Sequence, residues 1–116
     1  MHKLVPAVLL AGASLLTGCV SQPQSLYYWN GYQDQVYAHF KGDGSSPQEQ
    51  VAALEASLQE ARAQDRALPP GFHAHLGMLY AELGKPDQVR QQFETEKTLF
   101  PESTPYMDLL LNSAKK

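Results

Sequence analysis

Cysteine is almost absent from this chain of 116 residues, since Cys19 is the only one. A single thiol cannot form an internal disulfide, and it is a poor basis for a metal site, because such sites use several ligands. Charged residues make up only 18% of the chain, and the net charge is slightly negative. Without a basic stripe, the composition argues against binding to nucleic acid or to anionic lipid, since both rely on cationic side chains.

Long hydrophobic runs are absent as well. The apolar run from Leu4 to Leu16 has 13 residues, whereas a helix needs roughly 20 to cross a hydrocarbon core about 30 Å thick. Lys3 precedes this run, and a basic start followed by a short apolar segment is typical of an export signal. The sequence therefore predicts a signal peptide rather than a transmembrane anchor.

The apolar run ends in Leu16-Thr17-Gly18-Cys19, which resembles the lipobox of bacterial lipoproteins. The resemblance implies that Cys19 receives a diacylglycerol, that cleavage precedes it and that its new amino group is acylated. A free thiol after an apolar stretch is the alternative. Since Val20, not Asp, follows the cysteine, the resemblance further implies the periplasmic face of the outer membrane.

Three segments follow from this interpretation. They are a signal peptide (1–18), a lipidated tether (19–25) and a helical domain (26–116). Removal of the signal leaves 98 residues with twelve carboxylates against eight Lys and Arg, which suits one small domain. The lipid is therefore expected to provide the membrane attachment, since two or three acyl chains hold far more firmly than one.

Apolar residues recur at helical spacing through the rest of the chain, and no segment is predicted to be a strand. The clearest start signal is Ser46-Pro47-Gln48-Glu49, which forms a capping box with proline at the first helical position. Five helices are predicted, over 30–41, 47–64, 70–83, 86–99 and from about 104 onward. The predicted fold is all-α, packed as antiparallel helical hairpins.

The second half of the chain carries a spacing that resembles a tetratricopeptide repeat, W-x₂-L-G-x₂-Y…A-x₃-F…P. His73, Val89 and Glu96 depart from that pattern, and a generic helical hairpin is the alternative. A small residue at position 77 lets the two helices approach closely. The residues predicted to pack this repeat are Leu76, Gly77, Tyr80, Gly84, Phe93 and Pro101.

Longer stretches resemble the DUF4810 family of small proteobacterial lipoproteins over roughly residues 26–103. They are "LYYWNGYQDQVYAHFKG", "SSPQEQVAALE", "LPPGFHAHLGMLYAELG" and "ETEKTLFPES". The resemblance implies no activity and no catalytic residues. It does imply an envelope complex, because members are encoded beside two other lipoproteins, one of them similar to the curli secretion channel subunit.

The sequence contains little that is typical of a catalytic or metal-binding site. His73 and His75 are two residues apart, so on a helix they point about 200° apart and cannot chelate one metal ion together. Glu94 and Glu96 are predicted to be solvated, and no G-x-S-x-G motif occurs. We therefore expect no enzyme, no metal and no cofactor beyond the acyl groups on Cys19.

Aromatic residues near the tether are the remaining candidates. The residues predicted to be core are Trp29, Tyr32, Val36 and Phe40. The predicted exposed interaction surface consists of Tyr27 and Tyr28. Tyr and Trp dominate protein interfaces, and they also stack on sugar rings. The sequence thus favours a non-catalytic scaffold that binds other envelope lipoproteins, and the alternative is a lipoprotein that binds peptidoglycan or another glycan. No nucleic-acid or small-molecule partner is expected.

Overall fold

The computed structural model describes residues 18, 25–42 and 44–113, which fold into five α-helices. Among these described residues there is no strand, and no helix has the length and apolar character needed to cross a bilayer. The prediction of an all-α chain with about five helices is confirmed. The helices are α1 (Tyr32–Lys41), α2 (Pro47–Ala63), α3 (Phe72–Glu82), α4 (Pro86–Leu99) and α5 (Thr104–Ser113), with a 3-10 turn at Pro101–Ser103.

Local sequence signals set the starts of α2 and α4. The Ser46 hydroxyl accepts a hydrogen bond from the Glu49 N–H at 3.2 Å, and the Glu49 carboxylate accepts one from the Ser46 N–H at 3.4 Å. Pro47 and Pro86 are the first residues of their helices, where a missing N–H costs nothing. Both helices therefore begin where the sequence predicts.

α3 and α4 form an antiparallel hairpin that depends on a glycine. A Cβ atom at Gly77 would lie 2.5 Å from Phe93 Cε1, so only glycine leaves room for this ring. One turn earlier on α3, His73 Nδ1 lies 2.8 Å from Gln92 Oε1. The hairpin thus has a small-to-large contact at position 77, and the tetratricopeptide relationship itself stays a prediction.

α3 is the central helix, and α1 packs beside it in the same direction. At one end the rings of Tyr32 and Phe72 lie 5.6 Å apart, and at the other His39 Nε2 lies 3.6 Å from the Glu82 carboxylate. The start of α1 therefore meets the start of α3, and their ends also meet.

The remaining helices pack against this pair. The Tyr80 hydroxyl of α3 donates to the Glu55 carboxylate of α2, and Lys97 Nζ of α4 lies 2.7 Å from Asp108 of α5. Together they enclose one core. Its buried apolar residues are Tyr28, Val51, Leu54, Ala61, Leu68, Phe72, Leu76, Leu79, Tyr80, Val89, Phe93 and Met107.

The prediction that Tyr28 is exposed is wrong, because only 5% of this residue is exposed. Its N–H donates to the Ala67 carbonyl at 2.8 Å, and its hydroxyl donates to the Glu60 carboxylate. These contacts turn the ring toward the end of α2 and into the core. Tyr27, its neighbour, is half-buried.

The predicted core face of α1 is also wrong in part. Phe40 is 75% exposed and Trp29 is exposed too, while Tyr32 and Val36 are half-buried. Trp29 precedes the first turn of the helix, so helical spacing does not govern its direction. The one buried residue of α1 is Ala38, and the large side chains of Tyr37 and Phe40 are turned outward.

Candidate interaction surface

The outer side of α1 is an apolar surface, defined here as the α1 surface. It consists of Trp29, Tyr32, Val36, Tyr37 and Phe40, which line a shallow depression of about 640 Å³ together with two polar residues. Three of the five side chains are exposed rather than packed in the core. Several large apolar groups on one short helix are unusual for a monomer surface, and such patches mark contacts with other molecules.

Contacts among the rings hold the α1 surface in place. The ring of Trp29 lies 6.1 Å from that of Tyr32, which in turn packs against the core. At the other end, Lys41 Nζ bonds to the Tyr37 hydroxyl at 2.7 Å and lies 5.1 Å from the centre of its ring. The surface therefore has one end fixed by the core and one end stabilised by a cation.

A small polar depression lies beside Trp29. It measures about 260 Å³ and is lined by Trp29, Asn30, Gly31, Gln33 and Asp34. The indole of Trp29 lies next to amide and carboxylate groups there, so the depression is lined mostly by hydrogen-bonding groups. Such a combination suits a sugar as well as a peptide.

A second apolar groove lies where the described chain resumes at residue 25. It measures about 460 Å³ and runs between the end of α2 and the end of α4. Tyr27 and Phe100 meet across it, with their ring centres 6.1 Å apart. Arg66 fixes the segment of chain beside this groove, because its side chain donates to the carbonyls of Ser25 at 2.7 Å and of Tyr27 at 3.0 Å.

The histidines of α3, His73 and His75, contact different neighbouring helices. His73 bonds to Gln92 on α4, whereas the ring of His75 lies 5.2 Å from that of His39 on α1. The two rings therefore point apart, as the helical period predicts. Within the described part of the chain, no three His, Cys, Asp or Glu residues come together as metal ligands would.

The side chain of His75 is shielded from solvent. The residue is buried, and its Nε2 has no hydrogen-bond partner among the described residues. Burial, followed by the neighbouring His39, lowers the pKa of His75. This arrangement favours the neutral imidazole, because a proton there would add an unpaired charge.

Glu96 corrects another prediction, since it is buried rather than solvated. One carboxylate oxygen accepts the Gly71 N–H at 2.8 Å, and the other has no partner among the described residues. Gly71 has φ +93, and a Cβ there would meet the Tyr32 hydroxyl at 2.8 Å. Glu96 thereby stabilises the turn before α3, and it raises the pKa of Tyr32 in addition to the larger effect of burial.

The residues predicted to pack the repeat divide into two groups. Leu76, Gly77, Tyr80 and Phe93 are buried along α3 and α4, whereas Gly84 and Pro101 lie exposed just after those helices. Burial, and then its bond to Glu55, raises the pKa of Tyr80 to about 12.

The predicted lipidation site, Cys19, lies outside the described residues.

The sequence contains a signal for the exposure of Trp29 that the prediction missed, and it lies at the start of α1. Gly31, just before the first turn, breaks the helical phase between Trp29 and Tyr32. A glycine there indicates that aromatic residues on either side need not share one face.

Comparison with known protein families identifies the family of this chain. The family model described as "Domain of unknown function (DUF4810)" matches residues 26–110, which is most of the chain and nearly all of the helical region. No curated protein and no solved structure matches.

Proposed function

The chain belongs to the DUF4810 family, and on that premise we propose that it is a lipid-anchored scaffold of the bacterial envelope. In this proposal the helical domain performs no catalysis and binds a protein partner through the α1 surface. Cys19 carries the lipid, and the domain lies on the periplasmic face of the outer membrane. The partner is another envelope lipoprotein, for which the candidate is the curli-channel-like protein implied by the family resemblance.

The observation that carries this proposal is the outward direction of the aromatic residues of α1. Tyr37 is 63% exposed, and Phe40 and Trp29 lie on the same side of the domain. Exposed aromatic groups lose unfavourable contact with water when a partner covers them, and they supply much of the binding energy at protein interfaces. The one buried residue of α1 is an alanine, so this helix contributes little to the core.

The lipid anchor is tested by Cys19→Ser. We expect the native protein to fractionate with membranes and to begin at residue 19 with a mass increased by its acyl groups. The variant should be released into the soluble fraction, because the apolar run alone is too short to anchor it. An unmodified sulfur on the native protein would contradict this part of the proposal.

The partner surface is tested by Tyr37→Ala, with Tyr106→Ala as a matched control. Both tyrosines are exposed, at 63% and 57%, but Tyr106 lies on α5. After crosslinking in native envelopes, Tyr37→Ala should lose the adduct with its partner lipoprotein while Tyr106→Ala keeps it. Unchanged adducts in Tyr37→Ala, and again in Phe40→Ala, would reject the α1 surface as the binding site.

A second candidate function, peptidoglycan binding, is favoured by the polar depression beside Trp29. An indole face next to Asn30 and Asp34 suits the stacking and hydrogen bonding of sugars. Pull-down with purified sacculi should then depend on Trp29, so Trp29→Ala should abolish it. Tyr28→Ala is unsuitable here, because Tyr28 is core and its loss would destabilise the whole domain.

A further inference from the structure

The end of the domain next to the tether carries a second apolar area, defined here as the tether-end patch. It consists of Leu26, Tyr27, Leu99 and Phe100. Leu26 is 79% exposed and Leu99 is exposed as well, while the rings of Tyr27 and Phe100 contact each other. This patch adjoins the α1 surface at Trp29, and its own residues come from the segment before α1 and from the end of α4.

The chain enters the domain at this patch. Arg66 bonds to the carbonyls of Ser25 and Tyr27, so residue 25 is fixed at the end of the helices. Five residues separate Ser25 from Cys19. Even when fully extended, such a segment spans only about 20 Å.

We propose that the tether-end patch rests on the phospholipid bilayer that holds the lipidated Cys19, so that the domain is oriented on the membrane rather than free to swing. This inference rests on the proposed function, because it needs the acyl groups on Cys19. The short tether keeps the patch close to the bilayer, and two exposed leucines next to aromatic rings match the composition of interfacial contacts.

The local charge fits the same occupant. The described residues that line the groove beside the patch include Arg62 and Arg66 but no Asp or Glu. Cations next to apolar side chains suit the boundary between phosphate headgroups and acyl chains. The whole chain is acidic, so these two arginines supply a local positive charge at the end that faces the tether.

This orientation leaves the partner surface accessible. α1 begins beside the patch, because the ring of Trp29 lies 6.4 Å from that of Tyr27. It then runs parallel to α3 toward the opposite end, which places Phe40 about 12 Å further along the helix than Tyr32. A partner anchored in the same membrane can thus reach α1 from the side.

The test places one environment-sensitive probe at either end of α4. Lipidated protein with Leu99→Cys, or with Gln88→Cys as the matched control, is labelled and reconstituted in phosphatidylethanolamine–phosphatidylglycerol vesicles. Both positions are exposed and lie about 16 Å apart on one helix. Since a lipidated Cys19 has no free thiol, the introduced cysteine is the only labelled site.

We expect the probe at position 99 to be quenched by nitroxide-bearing lipids and protected from aqueous iodide, and the probe at 88 to behave oppositely. Equal iodide exposure at both positions, in protein whose mass shows the acyl groups, overturns the inference while the anchor stands. Protection of position 99 in native membranes but not in pure lipid also overturns it, since a protein then covers the patch. Labelling of Cys19 itself shows instead that the anchor is absent, and the proposed function and this inference then fail together.

A second variant checks that the patch makes the contact. Leu26→Gln should raise iodide access at position 99 severalfold toward the value at 88, because the most outward apolar side chain of the patch is lost. Phe40→Gln, which removes a similarly exposed group from the α1 surface, should leave it unchanged. If both variants change iodide access at position 99 equally, or if neither variant changes it, the assignment of the membrane contact to the tether-end patch is contradicted.

Discussion

At the scale of single residues, Gly77 determines how closely α3 and α4 approach. Its missing side chain is replaced by the Phe93 ring, whose Cε1 and Cδ1 atoms lie within 2.7 Å of the place a Cβ would occupy. The small residue at Gly77 and the aromatic residue at Phe93 are therefore spaced in the sequence so that they meet in this contact.

Gly77→Ala should destabilise the domain although alanine is the better helix former. Alanine gains about 1 kcal/mol of helix propensity over glycine, but the overlap with a buried ring costs more, so we expect a net loss of roughly 1–2 kcal/mol. Urea unfolding measures this. In a Phe93→Leu background the same substitution should become neutral or stabilising, and an equal loss in both backgrounds would show that the close contact is not the cause.

His75 makes stability depend on pH. Its folded pKa is lowered from the ordinary value of 6.5 by burial and by His39, so below that pH the unfolded chain takes up more protons than the folded one. The free energy of unfolding should therefore be highest above about pH 6.5 and should decline as the pH falls toward the lowered folded pKa. Thermal unfolding between pH 7.5 and 5.5 measures the decline.

His75→Gln provides the comparison for this effect. The variant loses the titrating group at the contact between α1 and α3, so its stability should vary less over the same pH range. His73→Gln, which changes a histidine bonded to Gln92 instead, should keep the decline of the native protein. Parallel pH profiles for all three proteins would assign the decline to other groups.

At the scale of elements, the start of α2 depends on its capping box. Ser46→Ala removes the acceptor of the Glu49 N–H, and loss of such a cap costs about 1 kcal/mol. The control is Thr98→Ala on α4, whose hydroxyl bonds back to the Glu94 carbonyl on the exposed side. Equal unfolding midpoints for the two variants would mean that the cap contributes nothing measurable.

α1 is attached by few apolar contacts compared with its size. Ala38 is its one buried residue, and Tyr32, Val36 and His39 are only half-buried, whereas α3 buries seven of its eleven residues. An element that buries so little gains little from the hydrophobic effect. This small contribution to the core agrees with the proposal that α1 binds a partner.

At the scale of the whole molecule, the helices should open at different rates. Amides of α3 should exchange with deuterated water most slowly, because this helix contacts α1, α2 and α4, and amides of α1 should exchange faster. Hydrogen exchange followed by mass spectrometry resolves the two. Protection of α1 that rises when the protein binds its partner would support the α1 surface, and slower exchange in free α1 than in α3 would contradict this ranking.

Much of the fold could be predicted because its signals are local. A serine, a proline and a glutamate in fixed order start α2, and a proline starts α4, since these residues act on the backbone within one turn. The candidate surface was predicted only in part. Tyr28, Trp29 and Phe40 were assigned to the wrong sides, and the binding of a partner by the aromatic segment stays a prediction.

The sequence by itself determined the five helices and the family, and it predicts the anchor at Cys19, because each depends on residues close together in the chain. Only the tertiary structure decided that Tyr28 is core, that Glu96 is buried and that Tyr37 and Phe40 of α1 are exposed. The positions of Tyr28 and Glu96 depend on bonds from Tyr28 to Ala67 and from Gly71 to Glu96. Such partners are 25 or more residues apart, and no local pattern of apolar residues specifies them.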